Sequence, residues 1–209
     1  MILLLGAPGS GKGTQSRLLA QRDNYKIFSV GEILRAEIAK DTNDGKAIAA
    51  AINRGEFAPL DIVTNLLRKY VTDKHFVLDG YPRDMDQVNE FNKFVAEHQN
   101  LAAESIIVVD LIVPIDILKV RLKSRRLCRV CDAALMFSAR ECTFCGHYSS
   151  DAYMRDDDCN CQAVSRRLEI FHQEKDLLKK YYTIEGIYHE IDATCSIEQV
   201  YERIKSFIK

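Results

Sequence analysis

The sequence predicts an α/β fold, a parallel, doubly wound sheet of five strands with helices on both faces. Two observations predict it. Short runs of Ile, Val and Leu lack polar alternation, as expected of strands that are covered on both faces. These runs alternate along the chain with longer segments in which apolar residues recur at helical spacing. Such alternation is typical of parallel strands joined by crossover helices.

The predicted elements follow one another in a regular order. The strands cover Ile2 to Leu5, Lys26 to Val30, His75 to Leu78, Ser105 to Val113 and Tyr188 to Ile191. The helices cover Lys12 to Arg22, Glu32 to Lys40, Gly45 to Arg54, Leu60 to Val71, Asp86 to His98, Ile115 to Arg126, Ala163 to Tyr182 and Ile197 to Ile208. The stretch from Leu127 to Asn160 interrupts this order, because it has few aliphatic residues and most of the cysteines. We interpret it as an inserted subdomain.

The composition is that of an ordinary globular protein. Of 209 residues, 29 are Lys or Arg and 30 are Asp or Glu, which gives a formal net charge of −1. This balance lacks the surplus of basic residues typical of proteins that bind nucleic acids or anionic membranes. The longest apolar stretches fall short of the ~20 residues that span a bilayer, and no secretory signal is predicted. We therefore expect a cytoplasmic monomer without a nucleic-acid or membrane partner.

A glycine-rich stretch, Gly6-Ala-Pro-Gly-Ser-Gly-Lys-Gly-Thr14, lies between the first strand and the first helix. In this context glycines let backbone N–H groups turn around phosphate oxygens, and the helix N-terminus adds partial positive charge. The stretch predicts a phosphate-binding loop (P-loop) with Lys12 as its mobile cation. Gly13 stands where Ser or Thr usually follows the lysine, so Thr14 supplies the nearest hydroxyl. The alternative is a glycine-rich turn that binds nothing.

Six of the seven cysteines fall within 34 residues. Cys128 and Cys131, and Cys142 and Cys145, form two C-x-x-C pairs, a spacing that suits a tetrahedral thiolate site for structural zinc. The alternatives are two disulfides, which a reducing cytoplasm disfavours, and four unligated thiols. The further candidates for the fourth ligand, in place of Cys145, are His147, Cys159 and Cys161.

Several motifs together resemble the adenylate kinase family of nucleoside monophosphate kinases. They are Gly6 to Gln15, Ser29-Val-Gly-Glu-Ile-Leu-Arg35, Gly55-Glu-Phe-Ala-Pro59, Asp79-Gly-Tyr-Pro-Arg83 with Gln87, Arg121 with Arg125, Arg155 with Asp157 and Asp158, and Arg167-Leu168. The cysteine-rich insertion resembles the zinc-binding lid of the long-lid type. The resemblance covers nearly the whole chain. It implies reversible transfer of the γ-phosphoryl group of Mg·ATP to AMP, which gives two ADP.

The resemblance also implies a division of the chain. Residues 1–28, 58–126 and 161–209 are expected to form a P-loop core domain, residues 29–57 a helical AMP-binding segment and residues 127–160 the lid with its zinc site. The lid would close over ATP and the segment over AMP, so that water is excluded only when both substrates are bound.

The resemblance assigns roles to individual residues. ATP is expected to contact Gly9, Ser10, Gly11, Lys12, Gly13, Thr14, Arg121 and Arg125. AMP is expected to contact Val30, Arg35, Phe57, Ala58, Gly80, Arg83, Gln87, Arg155 and Arg167. The catalytic cations are expected to be Lys12, Arg83, Arg121, Arg125, Arg155 and Arg167, and Asp79 is expected to orient water on Mg²⁺. We also expect Arg121 and Arg125, four positions apart, to lie on one face of a helix.

Three features of the sequence leave alternatives open. The carboxamide of Gln87 suits the adenine edge, but Val30 stands where adenylate kinases usually have threonine, which keeps a UMP/CMP-type kinase as an alternative. The arginine that binds phosphate is Arg167 by its motif and Arg166 by its distance from Arg155. From another class, the alternatives are a non-catalytic P-loop switch and a zinc-ribbon nucleic-acid module. The acidic run Asp156 to Asp158 disfavours the latter.

Overall fold

The computed structural model describes residues 1–98, 101, 105–135 and 139–208, and at Asp157 it describes the backbone alone. Five parallel strands form one sheet in the order β2-β3-β1-β4-β5, which confirms the predicted fold class. The strands are β1 (Ile2–Gly6), β2 (Lys26–Ser29), β3 (Phe76–Asp79), β4 (Ile107–Ile112) and β5 (Tyr188–Asp192). Because β1 lies in the middle, the loop that follows it emerges at the centre of the sheet edge.

Helices occupy both faces of the sheet. They are α1 (Lys12–Asp23), α2 (Val30–Ile38), α3 (Asn43–Asn53), α4 (Leu60–Tyr70), α5 (Met85–Glu97), α6 (Ile115–Ser124), α7 (Asp156–Cys159), α8 (Cys161–Ile184) and α9 (Ile197–Phe207). Alternate residues of β1 point to opposite faces, so Leu3 and Leu5 join one buried cluster while Ile2 and Leu4 join another. This double burial explains why the strand has no polar alternation.

Several predicted boundaries are wrong by a few residues. Val30, predicted to end β2, is the first residue of α2, because Ser29 has the extended backbone of a helix N-cap. α6 ends at Ser124, and the backbone of Arg125 is extended. Arg125 is nevertheless the C-cap residue of α6, and Arg121 and Arg125 line the same cleft, as their four-residue spacing predicts. α8 begins earlier than predicted because the side chain of Asn160 accepts hydrogen bonds from its first N–H groups.

Residues 127–160, the predicted lid, differ in construction from the sheet domain. Isolated antiparallel bridges join Leu127 to Ala134 and Tyr153, and Glu141 to Tyr148. Its small buried cluster consists of Cys128, Ala133 and Cys142, with Cys131, Leu135 and Phe144 packed against them. A nucleus of this size and composition supplies little hydrophobic stabilisation by itself.

In the part of the chain that the structure describes, no helix is both long enough and apolar enough to cross a membrane.

Candidate active site

The P-loop lies at the carboxyl edge of β1, where ligands bind in doubly wound sheets. Gly11, with φ of 106°, immediately precedes α1, and its position has no side chain that could cap the helix. The first-turn N–H groups of α1 therefore face the cleft rather than a capping oxygen. This is the backbone arrangement that binds phosphate.

The ammonium group of Lys12 lies over this loop. Its Nζ donates hydrogen bonds to the carbonyl oxygens of Gly6 at 2.7 Å and Ala7 at 3.0 Å. These bonds hold the cation at the inner curve of the loop, where it can exchange a carbonyl partner for a phosphate oxygen.

The surroundings of Lys12 disfavour its charge. Loss of hydration lowers the pKa of Lys12 to about 8, against the opposing effect of the Asp79 carboxylate. The guanidinium groups of Arg83 and Arg125 lower this pKa further, and Asp110 raises it. An anion bound in the loop would relieve this penalty, so the site favours a polyphosphate.

A single cleft of about 830 Å³ joins the loop to the lid and to the 29–57 segment. Its lining includes most of the predicted site residues, namely Gly9, Ser10, Gly11, Lys12, Gly13, Thr14, Arg35, Phe57, Asp79, Gly80, Arg83, Arg121, Arg125, Arg155 and Arg167. Three predicted contacts of the acceptor nucleotide, Val30, Ala58 and Gln87, are buried and do not line this cleft. The cleft thus brings the cationic groups together without exposing the predicted base contacts.

Asp79 is the last residue of β3, the strand adjacent to β1. It is 9% exposed and lines the cleft. A Cβ atom at Gly13 would lie 3.5 Å from its Oδ2. Gly13 thus lies next to this carboxylate, and a carboxylate at the cleft is the kind of group that binds Mg²⁺ through its water.

Asp158 joins two of the predicted catalytic arginines. Its Oδ2 accepts from Nε of Arg125 at 2.9 Å and also from Nη2 of that residue, and its Oδ1 accepts from Nη2 of Arg167 at 3.0 Å. The side chain of Asp158 is 1% exposed. The carboxylate offsets the repulsion of two guanidinium groups and holds both at the cleft wall. Sequence reasoning did not give Asp158 this role.

The two candidate arginines of α8 differ in position. Arg167 lines the cleft, whereas Arg166 is half exposed and pairs with Glu169 at 3.4 Å, outside the lining. The structure therefore brings Arg167 to the other cationic groups, as its motif predicts.

Arg35 also lines the cleft, and among the described residues its buried Nε has no hydrogen-bond partner. An anion would satisfy that donor.

The adenylate kinase family model matches residues 4–187 of the chain. An adenylate kinase from Elusimicrobium minutum (strain Pei191) is 34% identical over 217 aligned positions, which cover 100% of this chain and 98% of that protein. An adenylate kinase from Archaeoglobus fulgidus is 30% identical over 100% of this chain and 97% of its own length. The chain belongs to the adenylate kinase family. It is therefore a phosphotransferase of the nucleoside monophosphate kinase class.

In this adenylate kinase, Arg121 lies apart from the arginines at Asp158. Its guanidinium donates to the carbonyl oxygens of Ala193 at 3.0 Å and Ser10 at 3.4 Å. It thereby links the P-loop to the turn after β5, where Cys195 also lines the cleft. Arg121 and Arg125 thus have different partners, although both line the cleft.

Gln87 is buried, and both ends of its carboxamide have a hydrogen-bond partner within the protein. It is 4% exposed, its Oε1 accepts from the N–H of Arg83 at 3.0 Å, and its Nε2 donates to Asp84 Oδ2 at 3.0 Å. The sequence did not reveal these partners, because the motif assigns only the glutamine.

The four predicted cysteine ligands of the lid come together. The Sγ atoms of Cys128, Cys131, Cys142 and Cys145 all lie within 4.8 Å of one another. The Cys128–Cys145 and Cys131–Cys142 sulfur pairs are 3.5 and 3.6 Å apart. A disulfide requires about 2.0 Å. A tetrahedral thiolate site with Zn–S bonds of about 2.3 Å places its sulfurs about 3.8 Å apart, so the cluster fits a metal ion.

The two C-x-x-C pairs have the same backbone turn. The N–H of Asp132 donates to the Cys128 carbonyl at 2.9 Å, and the N–H of Gly146 donates to the Cys142 carbonyl at 2.8 Å. Asp132 and Gly146 both have left-handed backbones. A left-handed backbone costs more free energy at Asp132 than at a glycine. The Tyr153 hydroxyl donates a hydrogen bond to the Asp132 carboxylate, which compensates for that cost. The alternative ligands Cys159 and Cys161 are exposed and lie outside the cluster.

Proposed function

We propose that the protein catalyses Mg·ATP + AMP ⇌ 2 ADP. The observation that supports this most directly is the convergence of the P-loop and the guanidinium groups on one cleft. Transfer between two nucleotides brings several negative charges together, and fixed cations that surround them stabilise the charge of the transition state.

The donor nucleotide occupies the P-loop side of the cleft. Backbone N–H groups from Gly9 to Thr14 and the ammonium group of Lys12 bind its β- and γ-phosphates. Arg121 and Arg125 line the same cleft and bind the donor there as cations, as the resemblance implies. Asp79 would hold Mg²⁺ through the water bound to the ion, and the ion would supply positive charge to the donor's phosphates.

The acceptor nucleotide occupies the side formed by the 29–57 segment. Arg35 and Arg83 bind its phosphate, an assignment supported by the unpartnered Nε of Arg35. The guanidinium of Arg83 lies 6.0 Å from the ring centre of Phe57, which orients it along the cleft wall. Val30 of the segment, with Ala58, Gly80 and Gln87 of the core, encloses the base when the segment moves to admit it.

Arg125, Arg155 and Arg167 surround the phosphoryl group during transfer. The protein needs no nucleophile, because the acceptor phosphate oxygen attacks the γ-phosphorus directly while the bond from that phosphorus to the β,γ-bridging oxygen breaks and ADP leaves. The role of the side chains is to align the two nucleotides, offset charge and exclude water. Lid and segment closure, with the boundaries 127–160 and 29–57, supports that exclusion.

A structural zinc ion bound by Cys128, Cys131, Cys142 and Cys145 would hold the lid together, since four protein ligands leave no open coordination position. The sulfur spacing supports this assignment. The formal net charge of −1 supports the absence of a nucleic-acid or anionic-membrane partner. The monomeric state and the cytoplasmic location remain predictions from the sequence.

The decisive measurement is ADP formation from ATP with AMP, CMP, UMP or GMP as acceptor. We expect AMP to be used best. Preference for CMP or UMP would support a pyrimidine kinase, and no ADP with any acceptor would support a non-catalytic switch. Lys12→Met should lower turnover by orders of magnitude without unfolding the protein. Lys123→Met, at an exposed lysine of α6 outside the cleft lining, is the matched control and should retain full activity.

A further inference from the structure

The side chain of Gln87 is held by two partners of opposite chemistry. Asp84 is the N-cap of α5, and its Oδ1 accepts from the backbone N–H of Gln87 at 2.8 Å. Its second oxygen, Oδ2, accepts from Gln87 Nε2 at 3.0 Å. On the other side, the backbone N–H of Arg83 donates to Gln87 Oε1 at 3.0 Å. One carboxylate therefore fixes both the backbone and the side chain of the same glutamine.

These partners determine which carboxamide atom points in which direction. A backbone N–H can only donate, and an ionised carboxylate can only accept. A rotation of the carboxamide by 180° would place Nε2 against the Arg83 N–H and Oε1 against the Asp84 oxygen, and both hydrogen bonds would become repulsive contacts. The orientation follows from the chemistry of the partners, which is the criterion for assigning an amide group.

After these bonds, the carboxamide retains one N–H on Nε2 and one lone pair on Oε1 in a fixed order. Adenine presents an acceptor at N1 next to a donor at its 6-amino group. Hypoxanthine and guanine present the inverse, a donor at N1 next to an acceptor at the 6-oxo group. A freely rotating carboxamide could match either edge, whereas a fixed one matches only one of them.

We propose that Asp84 is a positioning residue that fixes the Gln87 carboxamide and thereby makes the acceptor site select a 6-aminopurine over a 6-oxopurine. The proposal rests on the proposed function, in which Gln87 contacts the acceptor base. Because Gln87 is 4% exposed, the base reaches it only after the groups that cover its carboxamide move aside.

The test compares AMP with IMP, two acceptors that differ only at the 6-position and the adjacent N1 proton. Asp84→Asn keeps the size and the N-cap oxygen but replaces one acceptor with a donor. We expect the ratio of kcat/KM for AMP to that for IMP to fall by about tenfold or more, since a mismatched polar group left unpaired costs about that factor. Asp86→Asn makes the same charge change at an exposed residue of the same helical turn and should leave the ratio unchanged.

The outcomes separate the inference from the function on which it rests. A wild-type protein that makes no ADP from AMP contradicts the proposed function. An Asp84→Asn variant that keeps the wild-type ratio, whether its overall activity is retained or lowered, overturns the role of Asp84. Asp84→Ser, which also retains a capping oxygen, provides a second variant with the same expected direction if Asp84→Asn folds poorly. Gln87→Leu should bring the ratio close to one, and a retained ratio would show that Gln87 does not contact the base.

Discussion

Gly55→Ala tests whether the 29–57 segment must dock against α8 for catalysis. Gly55 has φ of +74°, and a Cβ atom there would lie 2.6 Å from the carbonyl oxygen of Ala163 and 3.0 Å from Cβ of Arg166. Gly186, in the turn after α8, has nearly the same φ of +72°, but a Cβ there meets none of the described atoms within 4 Å. Gly186→Ala is therefore a control with the same backbone strain and no collision.

The expected loss of kcat/KM for AMP follows from the difference between Gly55 and Gly186. Left-handed alanine costs about 1–2 kcal/mol at either glycine, so this cost cancels in the comparison. Ordinary contact begins near 3.4 Å, so the Ala163 carbonyl and the segment must separate by about 0.8 Å in Gly55→Ala. Overpacking of this kind costs about 1–3 kcal/mol. If the 29–57 segment opens to relieve this overpacking, kcat/KM for AMP in Gly55→Ala falls about 5- to 150-fold relative to Gly186→Ala.

The assay is initial-rate ADP formation with varied AMP at saturating ATP, alongside denaturant unfolding of both variants. We expect similar losses of unfolding free energy but a selective loss of kcat/KM in Gly55→Ala. Values of kcat/KM for AMP that agree within a factor of about two between the variants would refute the idea that this contact belongs to the productive state.

Three further predictions concern charge and metal. Binding of a non-hydrolysable ATP analogue at pH 9 should take up protons, because the phosphates raise the lowered pKa of Lys12. Calorimetry in buffers of different ionisation enthalpy measures this uptake. We expect proton uptake at pH 9, little at pH 7 and none in Lys12→Met. Asp158→Asn should lower kcat more than it raises KM, since Arg125 and Arg167 lose the carboxylate that orients them; equal kcat in variant and wild type would contradict this role. Chelation should lower the unfolding temperature while phosphoryl transfer persists on the folded fraction; unchanged stability in protein shown by elemental analysis to contain metal initially would argue against a structural ion.

The features that the sequence predicted are those with a local physical cause. Apolar runs identify strands that are buried on both faces, and the glycine spacing before Lys12 identifies a loop whose backbone must turn inward. The four cysteines of the lid likewise come together because each C-x-x-C pair is a tight turn. Most predicted cationic residues reach the cleft because they lie at the ends of strands or near the ends of helices at one sheet edge.

The features that the sequence did not predict depend on tertiary contacts. Asp156 and Asp158 look alike in an acidic run, yet Asp156 is exposed and Asp158 is buried between two arginines, because the register of a single helical turn decides which one faces inward. Val30 looks like a strand residue because it is β-branched, but the N-cap at Ser29 determines its helical backbone. A motif likewise does not predict the partners of Gln87. The hydrogen bond from Gln87 to Asp84 depends on the orientation of the Asp84 side chain, which its position in the sequence does not give.

The small nucleus of the lid has a consequence for how the enzyme fails. Because that nucleus is made mainly of cysteine and alanine, a lid depleted of metal would lose its shape on warming before the sheet beneath it. ATP would still bind to the backbone of the loop, now under open solvent. In that temperature interval Arg155 and Asp158, which belong to the lid, would leave the cleft, so phosphoryl transfer would fall while the sheet remains folded.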